Sequence, residues 1–553
     1  MTRETTACSE VHSSRPAAWW AVAVCLTVVL GVRSAGAQVF RPDDPIGVDP
    51  DRLDMPAPEP REISEYFNAW IHIVGDPGSY EGKAANVNTL GDVPSSSWYE
   101  PRHYWHRMTP EELRRGPNEG DGPDAAGTWH VTRAQLDEET VRIEMVDVRG
   151  DAYVLTLDPM GHIELVSGAA FISARLLHAM GYNVPESFIV RFPRERLRPS
   201  PDAVLDAAGG RDALTARSLD ALLVHAARYD DGTFRGLARS MPDGETVGPF
   251  QYYGTRPDDG NDIIPHEARR ELRGLRVAAS WINWTRVSSH TTLDVVVREE
   301  GREFVRHYLS NLGGTLGAGP GGPKHRWEGF EYLVDGSAIL KRTATLGAVG
   351  SEWATIDYTD YPALGRIEAE HFRPQRWRPV YPNPAFRRLD AADAFWAAKQ
   401  IASFSDDDLR AVIGSADYSD AAVVERLTDV LRARRDRISQ AFLPYGGGID
   451  RFDVQSGFLT FVDLTVRHGL VRGDRLRHVI WRSFDNISGM DGRILVADQI
   501  RGPRLVVPPS DSDMLVAEIR TPGGGSTRVY LRTEGGEREV VGVERRGASE
   551  GMP

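Results

Sequence analysis

The sequence predicts an α+β fold: a two-lobed core, preceded by an extended N-terminal arm and followed by a β-sandwich-like C-terminal domain. Three observations carry this reading. Apolar residues alternate over Val141–Met145 and Tyr153–Leu157, then recur at helical spacing over 164–180. A second helical stretch, 264–284, runs through a polar loop into a hairpin pattern and a glycine-rich turn at 311–317. Beyond Gly446-Gly447-Gly448 the pattern turns to β alternation separated by glycine turns.

The first 37 residues read as a signal peptide. Arg15 precedes an apolar run, Ala17–Val32, and Ala35-Gly36-Ala37 forms a small-x-small cleavage site before Gln38. The run is at the short end for a membrane span, so an uncleaved anchor is the alternative. No later stretch is apolar enough to cross a bilayer. The expected mature protein is periplasmic or secreted, without a transmembrane segment. Both cysteines, Cys8 and Cys25, lie in the leader. The mature chain therefore has no disulfide, no thiolate nucleophile and no cysteine-ligated metal.

The chain has 553 residues, and two or three domains are expected after cleavage. Its net charge is −14, with acids and bases interspersed and no basic stripe. Nucleic acid and anionic membranes are poor partners for such a surface.

Residues 38–130 are rich in Pro, Gly, Asp and Ser, but carry Tyr66, Phe67, Trp70, Trp98, Tyr99, Tyr104 and Trp105. A disordered tail would not hold so many rings. The stretch reads as an arm that wraps the body and pins itself by those rings. Thr109-Pro110-Glu111-Glu112 opens a short helix within it, with an N-cap, Pro in the first turn and early acids.

The core is expected over 131–445, with a small lobe at about 131–245 and a large lobe at about 246–445. The hairpin turns at Arg149-Gly150-Asp151 and ends at Asp158-Pro159. Helix Glu164–Met180 presents Ile172, Leu176, Ala179 and Met180 on one face and stops at Gly181. The stretch NVPESFIVRF supplies another strand. In the large lobe, Pro384 precedes a helix with Phe395, Trp396 and Ile401. Phe404-Ser405-Asp406-Asp407-Asp408 caps the next, and 424–442 forms a third. Residues 446–553 form the β domain, with strands over Leu459–Val466, Arg477–Trp481 and Met514–Ile519. Turns follow at Gly523-Gly524-Gly525 and Gly535-Gly536.

Strand, helix, strand, then helix, loop, hairpin and turn is the order used by kinase-like phosphotransferases. There a strand Lys holds phosphates, a helix Glu holds that Lys, a loop carries a catalytic Asp and an Asn, and a metal-binding Asp opens the turn. The corresponding places hold Thr156, Ala170, Arg286, Thr291 and Asn311, with Glu164 a turn or two early. Four stretches, NVNTLGDVPSSSWY, GYNVPESFIVRF, YYGTRPDDGNDIIPHEARRELRGLR and VYPNPAF, resemble a group of exported bacterial proteins, and the similarity runs over nearly all the mature chain. Members of that group carry an HDDSxxxN loop, an IDFGSTLG turn and a KFDP strand. These features imply a divergent kinase-like domain of the HipA/CotH type. This chain departs at each motif: Thr285-Arg286-Val287-Ser288-Ser289-His290-Thr291 in the loop, Ser310-Asn311-Leu312-Gly313 in the turn, and Leu155-Thr156-Leu157-Asp158-Pro159 in the strand. Mg²⁺ needs carboxylate oxygens, and a guanidinium is no base.

Other constellations fail on spacing. His103 and His106 lack a third ligand, and His266-Glu267 lacks a second His at helical spacing. Gly313–Gly322 lacks the Lys-Ser/Thr of a P-loop, and Asp258, Asp259 and Asp262 lack the closing Glu of a calcium loop. The leading expectation is a non-catalytic, pseudokinase-like binding or envelope-associated protein with no cofactor. Thr156, Arg286, His290, Thr291 and Asn311 would line its cleft, and its ligand would be a protein, a glycan or a small anion. Two alternatives stay open. One is a phosphotransferase using Mg²⁺ and ATP with shifted carboxylates such as Asp158, Asp294 or Glu299. The other is a structural or glycan-binding envelope protein.

Overall fold

The computed structural model describes residues 38–63, 71–73, 75–207, 210–334, 351–358, 361–523 and 525–548. Residues 1–37, the expected signal peptide with both cysteines, lie outside them, as do Tyr66, Phe67 and Trp70. The fold is mixed α and β, with several sheets.

The arm lies along the body. Its Val39 N–H donates to the Asn486 carbonyl at 2.9 Å, and Phe40 packs between Phe484 and Tyr530. Further on, the Met55 N–H donates to Glu303 and the Arg61 N–H to Val247, so the arm adds to strand edges. Trp98 is buried, stacked on His307 at 3.5 Å between ring centroids, with Arg269 over its ring at 4.5 Å. Helix α1 (Pro110–Arg115) has the expected capping box between Thr109 and Glu112.

The stretch expected as the small lobe is built on a seven-stranded sheet. Its strands are β1 (Trp129–Asp137), β2 (Thr140–Val146), β3 (Ala152–Leu157), β4 (Ser187–Phe192), β5 (Leu197–Ala207), β6 (Gly210–Ala213) and β7 (Phe234–Ser240), in the order β4-β7-β3-β2-β1-β5-β6. Strand β1 begins inside the stretch expected as arm, where His130, Thr132 and Arg133 blur its alternation. The expected hairpin is present, with Ile143 opposite Leu155 and Met145 opposite Tyr153. One sheet face carries Ile143, Leu155 and Ala238 into a core with Leu219 and Leu222 of helix α3 (Ala216–Leu222). The other face meets helix α2 (Leu165–Ala179), which is apolar nearly all round and buried between the lobes. Gly181 ends it at φ +106, where a Cβ would collide with the Tyr99 ring.

Helix α2 starts without a cap from its own N-cap residue; Glu164 there is left-handed, at φ 70. Asp158 does that work from the end of β3. Its carboxylate accepts the N–H groups of Glu164, Val166 and Ser167 at 2.8–2.9 Å, and the Ser167 hydroxyl at 2.7 Å. Arg235 of β7 donates to that hydroxyl and to the carbonyls of Ala416 and Asp417, tying the small lobe to the large one.

The expected large lobe centres on helix α4 (Arg270–Trp281), packed on α5 (Ala391–Ala402) and α7 (Ala421–Phe442), with α6 (Asp406–Gly414) against α7 and α1. Gly274 lets α4 approach α5: a Cβ there would sit 2.8 Å from the Trp396 ring. The helix expected from Pro384 divides into a turn at Pro384–Arg387 and α5, because Asp390 caps a new start with Asp393. Strand β8 (Glu245–Gly248) pairs with β9 (Thr292–Glu299), which pairs with β10 (Arg302–Leu309). A short ladder, β11 (Ala318–Gly319) with β12 (Gly322–Pro323), closes the glycine-rich segment.

The chain after Gly448 forms two sheets. Strands β13 (Ile449–Gln455), β14 (Phe458–Asp463) and β17 (Arg504–Val506) form one. Strands β15 (Leu476–Asp485), β16 (Met490–Arg501), β18 (Met514–Thr521), β19 (Gly525–Glu534) and β20 (Glu537–Arg546) form the other. Leu459 and Leu505 of the first share a core with Trp481, Leu515 and Val529 of the second. Strand β14 stops earlier than its alternation suggests, because Asp463 accepts the Thr465 and Val466 N–H groups and starts a helical turn. No helix among the described residues is long and apolar enough to cross a membrane.

Candidate binding cleft

The free part of the small-lobe sheet face and the loops of the large lobe enclose a cleft. It has an outer cavity of about 170 Å³ and an inner slot of about 40 Å³. Arg142, Thr156, Val166, Asn311 and Gly313 line both. All five expected positions, Thr156, Arg286, His290, Thr291 and Asn311, lie on the outer cavity, although they span 156 residues of chain from first to last. Ala170 lines the inner slot.

Each position is set by its element. Thr156 lies near the C-terminal end of β3, between Arg142 and Leu237 on the neighbouring strands. Arg286, His290 and Thr291 come from the loop between α4 and β9. Thr291 closes that loop on itself: its hydroxyl donates to the Ser288 carbonyl at 2.7 Å and accepts the Ser288 N–H at 3.2 Å. Its hydroxyl proton is thus committed to the loop. Asn311 opens the glycine-rich turn in the left-handed region, φ 51 and ψ 55, which Asn tolerates better than most residues.

Arg286 has carboxylate partners. It donates to Glu138 at 2.8 Å and stands 3.8 Å from Glu328. The cause is the turn between β1 and β2. Glu138 and Glu139 both adopt positive φ there, and the Thr140 hydroxyl donates to the Pro320 carbonyl, so the turn lies over the cleft mouth. Glu328 is buried and accepts the Thr285 hydroxyl at 2.7 Å. Beside it, Lys324 donates to the Asn283 carbonyl, and burial pulls its amine down to about 7.

The carboxylates considered as shifted catalytic groups lie elsewhere. Asp158 caps α2; burial raises its pKa, and the Ser167 bonds and Arg235 oppose that rise. Asp294 is buried against Arg256 at 3.2 Å and His307 at 2.7 Å. Glu299 pairs with Arg306 and lines a separate surface groove. Glu164 accepts the Tyr229 hydroxyl and the Ser419 N–H. None lines the cleft. Among the described residues, no group of three or more His, Cys, Asp and Glu could hold a metal ion.

Sequence reasoning missed Arg142, Arg239, Glu138 and Glu328. Arg142 and Arg239 occupy the polar positions of alternating strands, and that pattern cannot separate a cleft-facing side from a solvent-facing one. Glu138 sits in a turn whose reach across the lobes is a tertiary property. No family model matches this chain, and no curated protein or solved structure matches it.

Proposed function

We propose that the protein is a non-catalytic binding protein with a divergent kinase-like core, whose interlobe cleft takes a small anionic ligand without a divalent metal. The observation that carries this is the convergence of Thr156, Arg286, His290, Thr291 and Asn311 on one cavity. The acids on that cavity, Asp137 and Glu138, stand against Arg142 and Arg286 rather than together. Phosphoryl transfer needs carboxylate-held metal and a positioned base. Here a guanidinium, a hydroxyl already committed and a neutral amide fill those places. Guanidinium groups suit carboxylates and phosphates and gain nothing from Mg²⁺.

Thermal-shift titration with ATP and with inorganic phosphate, with and without Mg²⁺, tests the reading. The expected result is weak stabilisation, independent of Mg²⁺ and reduced by salt. Mg²⁺-dependent ATP turnover would overturn it.

A further inference from the structure

We infer that the inner end of the cleft is a second anion subsite, made by Arg142 and Arg239, for a carboxylate or phosphate group joined to a short apolar group. This rests on the cleft being a binding site, but on residues other than Arg286.

The sheet sets the pair. Arg142 lies opposite Thr156, and Thr156 opposite Leu237; Val154 lies opposite both Glu144 and Arg239. Arg142 and Arg239 therefore project from the same sheet face in adjacent rows, the face opposite Ile143 and Leu155. Both line the inner slot, whose remaining wall is largely apolar: Val154, Val166, Ala170, Leu237, Leu309 and Leu312.

The charges there are incompletely answered. Nη1 of Arg239 is sealed from solvent and has no hydrogen-bond partner among the described residues. Burial pulls the Arg239 guanidinium down to about 10; neighbouring Arg142 adds to this and Glu144 opposes it. Glu144 is shared with Arg133, at 3.7 Å. Arg142 has Asp137 at 3.9 Å, and half of that side chain is in solvent. Two mutually repelling guanidiniums beside an apolar slot, one with an orphan donor, cost the apo protein stability. An anionic oxygen pair between them would supply the missing acceptors. The slot admits only a short apolar group beside that head.

Calorimetric titration of the purified protein with butyrate, butyl phosphate, inorganic phosphate and ATP tests this. Wild type should bind butyrate or butyl phosphate more tightly than inorganic phosphate. Arg239→Met should weaken that binding about tenfold, the loss of one charge-assisted contact. Its denaturation midpoint should not fall, because a partly buried cation with an orphan donor is removed. Arg239→Lys keeps the charge without the fork, guards against a folding defect, and should bind a few-fold more weakly than wild type. Arg286→Gln should instead weaken ATP and inorganic phosphate more than butyrate. Failure of ATP and inorganic phosphate alone would sink the metal-free reading of the outer cavity and leave the inner subsite standing. Wild-type butyrate binding by Arg239→Met, or no preference for butyl phosphate over inorganic phosphate, would overturn the subsite.

Discussion

Asp158→Asn separates a structural carboxylate from a catalytic one. In the native state Oδ1 accepts the Val166 and Ser167 N–H groups, and Oδ2 accepts the Glu164 N–H and the Ser167 hydroxyl. Asn keeps the shape and one oxygen, so two backbone bonds survive. Its amide nitrogen then faces the Glu164 N–H, donor against donor. The Ser167 hydroxyl can rotate to accept; the N–H cannot. One orphaned buried N–H costs about 1–3 kcal/mol. Losing the negative charge at the positive end of α2 costs a further ~0.3–2 kcal/mol. Arg235, 3.9 Å away and buried, loses its only carboxylate neighbour within ion-pair range among the described residues. The sum is about 3 kcal/mol. At about 2–4 °C per kcal/mol for a domain of 150–250 residues, the melting temperature should fall by about 6–12 °C. Circular dichroism melts of the variant and wild type measure it. Ligand binding at low temperature should persist. An unchanged melting temperature would refute the cap assignment, and a wild-type melt with abolished binding would place Asp158 in the cleft chemistry after all.

Other perturbations give separate readouts. The Glu138–Arg286 pair is exposed on both sides, 58% and 35%, so Glu138→Gln should change stability by under ~1 kcal/mol. Because Glu138 competes with a ligand for Arg286, the same variant should bind inorganic phosphate about two- to fivefold more tightly by calorimetry; equal or weaker binding would count against the anion reading. Trp98→Ala removes a ring stacked on His307 and should cost about 3–5 kcal/mol, freeing the arm to limited proteolysis between residues 71 and 128. Cleavage at the wild-type rate would show that the arm is not pinned there. Burial and nearby arginines pull His72 and His468 down to about 4 and His178 to about 3, from 6.5. The unfolded chain then takes protons that the native state refuses. Stability should therefore be complete above pH 6.5 and fall as pH drops toward 4, by at most about 1.4 kcal/mol per pH unit for each histidine. His178→Gln should flatten part of that slope between pH 6.5 and about 5, and an unchanged slope would exclude its contribution.

Elements set by local chemistry were legible in the sequence. The 140–157 hairpin, α2 with its terminal glycine, α1 with its capping box and the strands after Gly448 all follow from patterns a few residues long. Elements set by distant partners were not. The start of α2 is decided by Asp158, which reads locally as the end of a strand. Strand β5 pairs in parallel with β1 some seventy residues upstream, and its Pro199 and Pro201 argue against a strand by local rules. The five cleft positions were placed by element order, while the arginines that set the cleft's charge were hidden in ordinary strand alternation.

Placement alone does not make a metal site; the acids must also be free. In this chain the buried and rim acids around the cleft each have a structural partner. Asp158 holds the α2 terminus, Glu164 holds Tyr229 and Ser419, and Asp294 holds Arg256 and His307. At the rim, Glu138 faces Arg286 and Asp137 faces Arg142. Recruiting any one to Mg²⁺ would strand a helix terminus or a cation, at a cost of several kcal/mol for the buried groups. Mg²⁺ also gives up its water reluctantly and demands near-octahedral oxygen geometry. Restoring metal affinity therefore requires new acids inside the cavity. Asn311→Asp and Thr291→Asn with Arg286→Asp add oxygens where the loop and turn already converge, and remove the opposing cation. The triple variant should gain Mg²⁺ affinity by calorimetry. If it does not, these three positions are too far apart to share an ion, and the kinase-like assignment of the cleft fails with them.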